Sequence, residues 1–179
     1  MPEVPRESRL VITVGRLEEQ KNTASLIEAV KELPGVKLRI VGDGSLRADL
    51  EERVRKYNLD VEFLGAIPHK ELPRLLNEAE LFILPSHYEG NPKALFEAMA
   101  CGLPVIGTRV PGIQEALIHE ETGFLCGTTP SDIRAALHEM FERSELRERV
   151  SCRALAYAQE RFSLTRIAQR ELAVLTTLS

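Results

Sequence analysis

The sequence predicts an α/β fold: a Rossmann-like, doubly wound parallel sheet of about six strands, with helices on both faces and a helical C-terminus. Three observations predict it. Short apolar runs alternate with amphipathic stretches of helical period along residues 10–125. The runs are apolar nearly throughout, as expected of strands covered on both faces. The loops that follow them carry glycine, which permits close backbone approach and positive φ. Right-handed crossovers between parallel strands then wind the chain both ways from a central strand.

Residues 10–14, L-V-I-T-V, read as a buried strand, and the helical stripe that follows covers residues 23–33. Residues 36–41 form a second strand, followed by a helix over about residues 45–57. A third strand at 61–64 precedes a helix at 70–78, and a fourth at 81–84 precedes a helix at 92–101 rich in helix formers. Residues 104–106 make a fifth strand, with a short helix at 113–118, and Phe124 and Leu125 begin a last strand. From Ser131 onward the pattern is helical. Leu137, Met140 and Phe141 form one apolar stripe. Leu164, Ile167, Leu172 and Leu175 form another on a terminal helix, with Ser163 as its N-cap.

The length of 179 residues suits one domain with a real core, here residues 9–179. Residues 1–8 are polar and proline-bearing and read as a linker remnant, without the apolar stretch of a secretion signal. No apolar run approaches bilayer length. A net charge of −4 speaks against nucleic acid as the partner but leaves room for a small anion held by local cations. Cys101, Cys126 and Cys152 are odd in number and lack C-x-x-C spacing. That composition argues against a disulfide framework or zinc site and for a reducing, cytoplasmic compartment.

In such sheets ligands bind beyond the carboxyl ends of the strands. The loops to inspect are therefore 15–21, 42–44, 65–68, 85–92 and 107–112. Arg16 and Lys21 follow the first strand, where a guanidinium can fork onto phosphate oxygens and an ammonium can add a point charge. The alternative for Arg16 is a solvated pair with Glu18 or Glu19. Gly42 and Gly44 lack the third glycine of a dinucleotide fingerprint and fit a tight turn before the next helix, where they can still wall the site.

The sharpest signal is S-H-Y-E-G-N-P-K-A-L-F-E-A-M-A-C-G, residues 86–102. Glu89 falls in a loop and Glu97 on the second turn of the helix that follows. Between them lies a helix N-terminus, whose free N–H groups and dipole favour an anion. Two carboxylates flanking a phosphate site suit a ligand with a diphosphate in the middle and a polyol at each end. The competing readings are solvated surface acids or a two-carboxylate glycosidase. The glycosidase does not need the phosphate-type loop. Lys93, at the helix start, opposes the dipole unless an anion binds there, and is otherwise an ordinary exposed lysine. His69 and His87 lie in crevice loops without an assigned role. Glu115 is open between helix capping and ligand contact.

These motifs resemble one family. E-G-N-P-K-A-L-F-E-A-M-A-C-G-L-P-V-I is similar to the E-x7-E signature of the retaining glycosyltransferases called group 1 or family 4. V-G-R-L-E-E-Q-K-N, I-V-G-D-G, F-L-G-A-I-P, L-F-I-L-P-S, V-P-G-I-Q-E and H-E-E-T-G-F-L resemble its other blocks, in the same order, from about residue 9 to residue 175. The resemblance implies the GT-B architecture of two Rossmann-like domains, of which this chain is similar to the C-terminal, donor-binding one. The acceptor-binding domain would be a missing partner, and the chain alone would be inactive. By the same resemblance, Arg16, Lys21 and Glu89 form the catalytic set. Arg16 and Lys21 would contact the donor diphosphate, Glu89 the transferred hexose and Glu97 the ribose. Gly15, Gly42, Gly90, Asn91, Pro92, Lys93 and Leu95 would approach sugar and phosphate, and Ala66 and Ile67 would border the base.

The resemblance implies a UDP- or GDP-sugar donor, no metal or other cofactor, and a glycan or lipid acceptor. Membrane contact would come only peripherally, through the missing domain. The terminal stripe at Leu164 to Leu175 would cross to that domain or drive self-association. Asn91 stands where the family often has an aromatic, and Pro111 and Gln114 depart from its G-G-I-P; these positions touch sugar-facing loops. A stand-alone nucleotide-sugar-binding subunit or sensor, or a GT-B relative such as a sugar-nucleotide epimerase, are the other readings.

Overall fold

A computed structural model of the chain describes residues 6–162. Its strands are β1 (Leu10–Val14), β2 (Lys37–Val41), β3 (Val61–Gly65), β4 (Leu81–Leu84), β5 (Val105–Thr108) and β6 (Phe124–Cys126). Its helices are α1 (Thr23–Lys31), α2 (Arg47–Tyr57), α3 (Leu72–Glu78), α4 (Lys93–Ala100), α5 (Pro111–Gln114), α6 (Pro130–Glu142) and α7 (Ser144–Phe162). Every strand pair is parallel, in the order β3-β2-β1-β4-β5-β6. The chain therefore winds outward from β1 in one direction and, from β4, in the other. The loops after β1 and β4 flank the point where the winding reverses, which is where open α/β sheets form their ligand crevice.

Alternate side chains of the buried strands feed two separate cores. On one face Val11, Leu38, Ile40, Ile83 and Ile106 pack with α1, α2 and α6. On the other, Ile12, Phe82, Leu84 and Val105 pack with α3, α4 and α5. The central β4 is buried throughout, whereas β3, at the sheet edge, is mostly half-buried. Helix α7 joins the two cores: Leu146 and Val150 belong to the first, Ala154 and Ala158 to the second.

Among the described residues the expected elements are present, with shifted ends. The helix expected at 70–78 begins as a single 3-10 turn, His69–Glu71, before α3. The helix expected at 113–118 is α5, which starts earlier because Pro111 occupies its first position, where a missing N–H costs nothing. Residues 6–8, read as linker, are tied down. The Arg6 guanidinium donates to the Gly102 carbonyl at 2.5 Å, and the Glu7 amide to the Glu78 carbonyl at 2.7 Å. The stripe at Leu164, Ile167, Leu172 and Leu175, and Ser163 as its cap, lie outside the described residues. Among the described residues no helix is long and apolar enough to cross a membrane.

Candidate functional site

The loop after β1 is shaped by its contact with the loop after β2. A Cβ on Gly42, at φ +130°, would lie 1.9 Å from the Gly15 carbonyl oxygen, and one on Gly44 would lie 2.4 Å from that of Leu17. Only glycine allows this approach. The two loops then zip together: Gly15 N–H to Val41 O at 2.9 Å, Leu17 N–H to Asp43 O at 2.9 Å, and Leu46 N–H to Leu17 O at 3.0 Å. Gly42 and Gly44 thus serve loop packing as well as the turn expected before the next helix, in which the Arg47 amide donates to Gly44 O at 3.2 Å. The Gly42 amide itself donates to Gly65 O at 2.8 Å.

Glu18 takes hydrogen bonds from the Ser45 amide and hydroxyl, which hold its carboxyl below the usual range. Its hydrogen bonds thus go to Ser45, and Arg16 stands exposed at the crevice rim. A 3-10 turn at Glu19–Lys21 then carries the chain to Asn22, which is left-handed at φ 54°.

The loop after β4 is clamped onto this one. His87 N–H donates to Gln20 O at 2.8 Å, and the Gln20 amide returns a bond to Tyr88 O at 2.9 Å. The buried Asn22 amide donates to Pro85 O at 3.0 Å and to Thr128 O at 2.9 Å. Thr108 Oγ1 donates to the Ser86 carbonyl at 2.6 Å, and a Cβ on Gly112 would lie 2.1 Å from Glu89 O.

At the centre sits Glu89, only 5% exposed. Its Oε1 accepts from Lys21 Nζ at 2.5 Å and from Ser86 Oγ at 2.6 Å. A carboxylate this buried needs such partners, because an unpaired charge out of water is expensive. Glu89 is therefore neither solvated nor free. It is preorganised, with Lys21 lying along Gly15.

Glu97, on the second turn of α4, is half-buried, and its Oε1 lies 2.8 Å from His69 Nε2. Ala66 is exposed and Ile67 half-buried in the loop leading to His69. Asn91 and Lys93 are exposed at the start of α4, and Pro92 and Leu95 are buried. The Lys93 amide is taken by Asn91 O at 2.9 Å and the Leu95 amide by Pro92 O at 3.0 Å. An anion at this end must use the other amides of the turn, Gly90 among them. A cavity of about 620 Å³ runs beside α4, lined by Asn91, Lys93, Phe96, Glu97 and Ala158. A second, of about 300 Å³, opens between Gly90, Pro92, Gly112, Glu115 and Arg161. Glu115 itself follows α5 as its C-cap. Among the described residues no group of three His, Cys, Asp or Glu could hold a metal ion.

The structure thus brings Gly15, Lys21, Gly42 and Glu89 to one edge of the sheet, and Asn91, Lys93 and Glu97 along α4. Asn22, Ser86, Thr108 and Gly112 were missed by sequence reasoning. Asn22 had a signal, its place just before α1, but as an N-cap; its side chain in fact bonds across loops. Ser86 and Thr108 had none, since their partners are set by the fold.

Residues 2–156 match the family described as glycosyl transferases group 1. A glycogen synthase of Mycobacterium tuberculosis is 36% identical over 129 residues, which are 69% of this chain and 31% of that protein. Anabaena Alr3699/HepE, solved in complex with UDP and glucose, superposes with a TM-score of 0.85 at 25% identity, covering 94% of this chain and 48% of that one. The C-terminal domain of a glycosyl transferase group 1 family protein, LpcC from Francisella tularensis, is 24% identical with a TM-score of 0.77 and 87% coverage of both chains, a likeness of fold. The chain thus spans about a third of that glycogen synthase and about half of HepE.

Proposed function

The chain belongs to the glycosyl transferases group 1 family, and on that premise we propose that it is the donor-binding half of a retaining hexosyltransferase using a UDP- or GDP-sugar. One observation carries the reading: the Lys21–Glu89–Ser86 cluster, in which buried Glu89 and Ser86 meet half-buried Lys21 where the sheet's winding reverses. An ammonium has three protons to donate. Lys21 gives one to Glu89 and keeps two for the oxygens of a donor diphosphate. Arg16, exposed in the same loop, offers a planar fork for the same group. Together with the turn at Gly90 and the α4 dipole, these cations stabilise the charge that develops as the nucleoside diphosphate leaves.

Glu89 holds a fixed negative charge near the sugar. It accepts hydroxyl hydrogen bonds and favours the positive character of an oxocarbenium-like transition state. With cations and leaving group on one face, the acceptor hydroxyl attacks from that face and the anomeric configuration is retained. Glu97 offers its carboxylate to the ribose hydroxyls, and the loop at Ala66 and Ile67 borders the base. No metal has a part in this scheme, because Arg16, Lys21 and the helix terminus supply the neutralising charge. The acceptor site belongs to a second, N-terminal domain. The HepE complexes with UDP support the nucleotide class, and the LpcC domain supports an independently folded donor half.

Calorimetric titration of the chain with UDP, GDP and ADP, each with and without a sugar, tests the reading. Saturable binding of one nucleotide, weakened at least about tenfold by Arg16→Ala, is expected from the loss of a charged hydrogen-bonding partner. Absence of binding, or binding indifferent to Arg16→Ala, overturns it.

A further inference from the structure

His69 follows from no motif, yet it reaches the carboxylate assigned to the ribose. The loop after β3 begins three strands away from β4, with β2 and β1 between them, roughly 14 Å along the sheet. It is anchored at both ends: Gly65 accepts from the Gly42 amide at 2.8 Å, and Leu72 is buried in the core. Between these anchors the 3-10 turn His69–Glu71 rises beside α4 and places His69 Nε2 at 2.8 Å from Glu97 Oε1. The side chain of His69 is 81% exposed, so packing gives no reason for its position.

We propose that His69 is a positioning residue for nucleotide-ribose recognition: it holds Glu97 in the conformation that accepts a vicinal diol. The proposal rests on the donor-site reading above. A carboxylate only accepts, so the proton of this hydrogen bond is on Nε2. That bond occupies one lone pair of Oε1 and leaves Oε2 and the second lone pair of Oε1 for two hydroxyls. A glutamate without the bond samples several rotamers, and ordering it on binding costs entropy. A prearranged one avoids that loss. The predicted signature is selective: His69 matters for ligands with an intact ribose diol and little for those without.

The test is calorimetric titration of the 179-residue chain with UDP and GDP and with their 2′-deoxy forms. The variants are His69→Ala, His69→Gln, Glu97→Gln and the double variant His69→Ala/Glu97→Gln, each checked by thermal melting for an intact fold. His69→Ala is expected to weaken ribonucleotide binding roughly five- to tenfold, the size of one net hydrogen bond, and 2′-deoxynucleotide binding by less than about twofold. His69→Gln, whose amide can donate to Glu97, is expected to restore most of the loss. In the Glu97→Gln background the His69 change should add nothing.

Equal effects on ribo- and deoxynucleotides, or an undiminished His69 effect in the Glu97→Gln background, overturn the proposal. If Glu97→Gln weakens ribonucleotide binding and His69→Ala does not, the positioning role fails and the donor site stands. If Glu97→Gln changes nothing, or the wild-type chain binds neither nucleotide, the donor-site reading fails and takes this inference with it.

Discussion

Asn22 adopts φ 54° and gives both protons of its side-chain amide to carbonyls, Pro85 O and Thr128 O. Asparagine tolerates the left-handed region better than most residues, and its short amide spans the gap between the loop after β4 and the segment before α6. Asn22→Ala would leave a buried carbonyl unpaired and is expected to cost about 2 kcal/mol, read as a lowered urea midpoint with an unchanged slope. A loss below about 0.5 kcal/mol would mean water replaces the amide at no penalty. None of this is legible locally. The sequence shows an asparagine before a helix, a setting for a cap, whereas the observed helix start has no side-chain cap from it. Glu89 behaves similarly: its type and place in a loop are visible in sequence, but its burial and its bond to Lys21, 68 residues away, are not.

Among the described strands, β6 is the shortest, with three residues at the sheet edge. Its middle residue is held from outside. The Leu125 amide donates to His119 Nδ1 at 3.0 Å, and the His119 ring stacks edge-on against Phe124 at 4.7 Å. Burial, and then the charge of Arg109, push the imidazole below its ordinary value of 6.5. Arg143 acts in the same direction, and Glu120 and Glu139 oppose it. The folded state therefore prefers neutral His119, with Nδ1 free to accept. This contribution is complete above the ordinary histidine range and is lost as pH falls through the lowered value. Melting of the wild type is expected to fall more between pH 7 and pH 5 than melting of His119→Asn, whose oxygen can accept at any pH. Parallel curves would show that the histidine is not the sensor. Elsewhere the elements were largely legible, because apolar periodicity is a local property. Their ends were less so: α5 begins at Pro111 and α3 is preceded by a 3-10 turn, both set by backbone hydrogen bonding.

At the scale of the molecule, one sheet with two cores is stapled by α7, whose first half packs in one core and second half in the other. The site forms at one edge of that sheet and is built from the loops after the strands and from α4, with α7 lining one wall of its cavity. In the proposed scheme the acceptor binds on a second domain, so this chain is expected to bind donor nucleotide yet show no multiple-turnover sugar transfer when purified alone. A radiolabelled-donor assay with an added acceptor would check this. Sustained transfer would place the acceptor site within these residues and remove the need for a partner domain.

The sequence by itself determined the fold class, the order of strands and helices, and the E-x7-E spacing that carries the family resemblance. Each of these is written in short-range periodicity or in the residue types of one contiguous segment. Only the tertiary structure decided that Lys21 reaches Glu89, that Asn22 ties three loops together, that Gly42 and Gly112 are sites of close backbone approach, and that His69 holds Glu97. Sequence supplies the inventory of charges and donors along one dimension. Which of them meet depends on the parallel winding, which brings the ends of distant strands to a single edge, and on distances of about 3 Å that no spacing rule specifies.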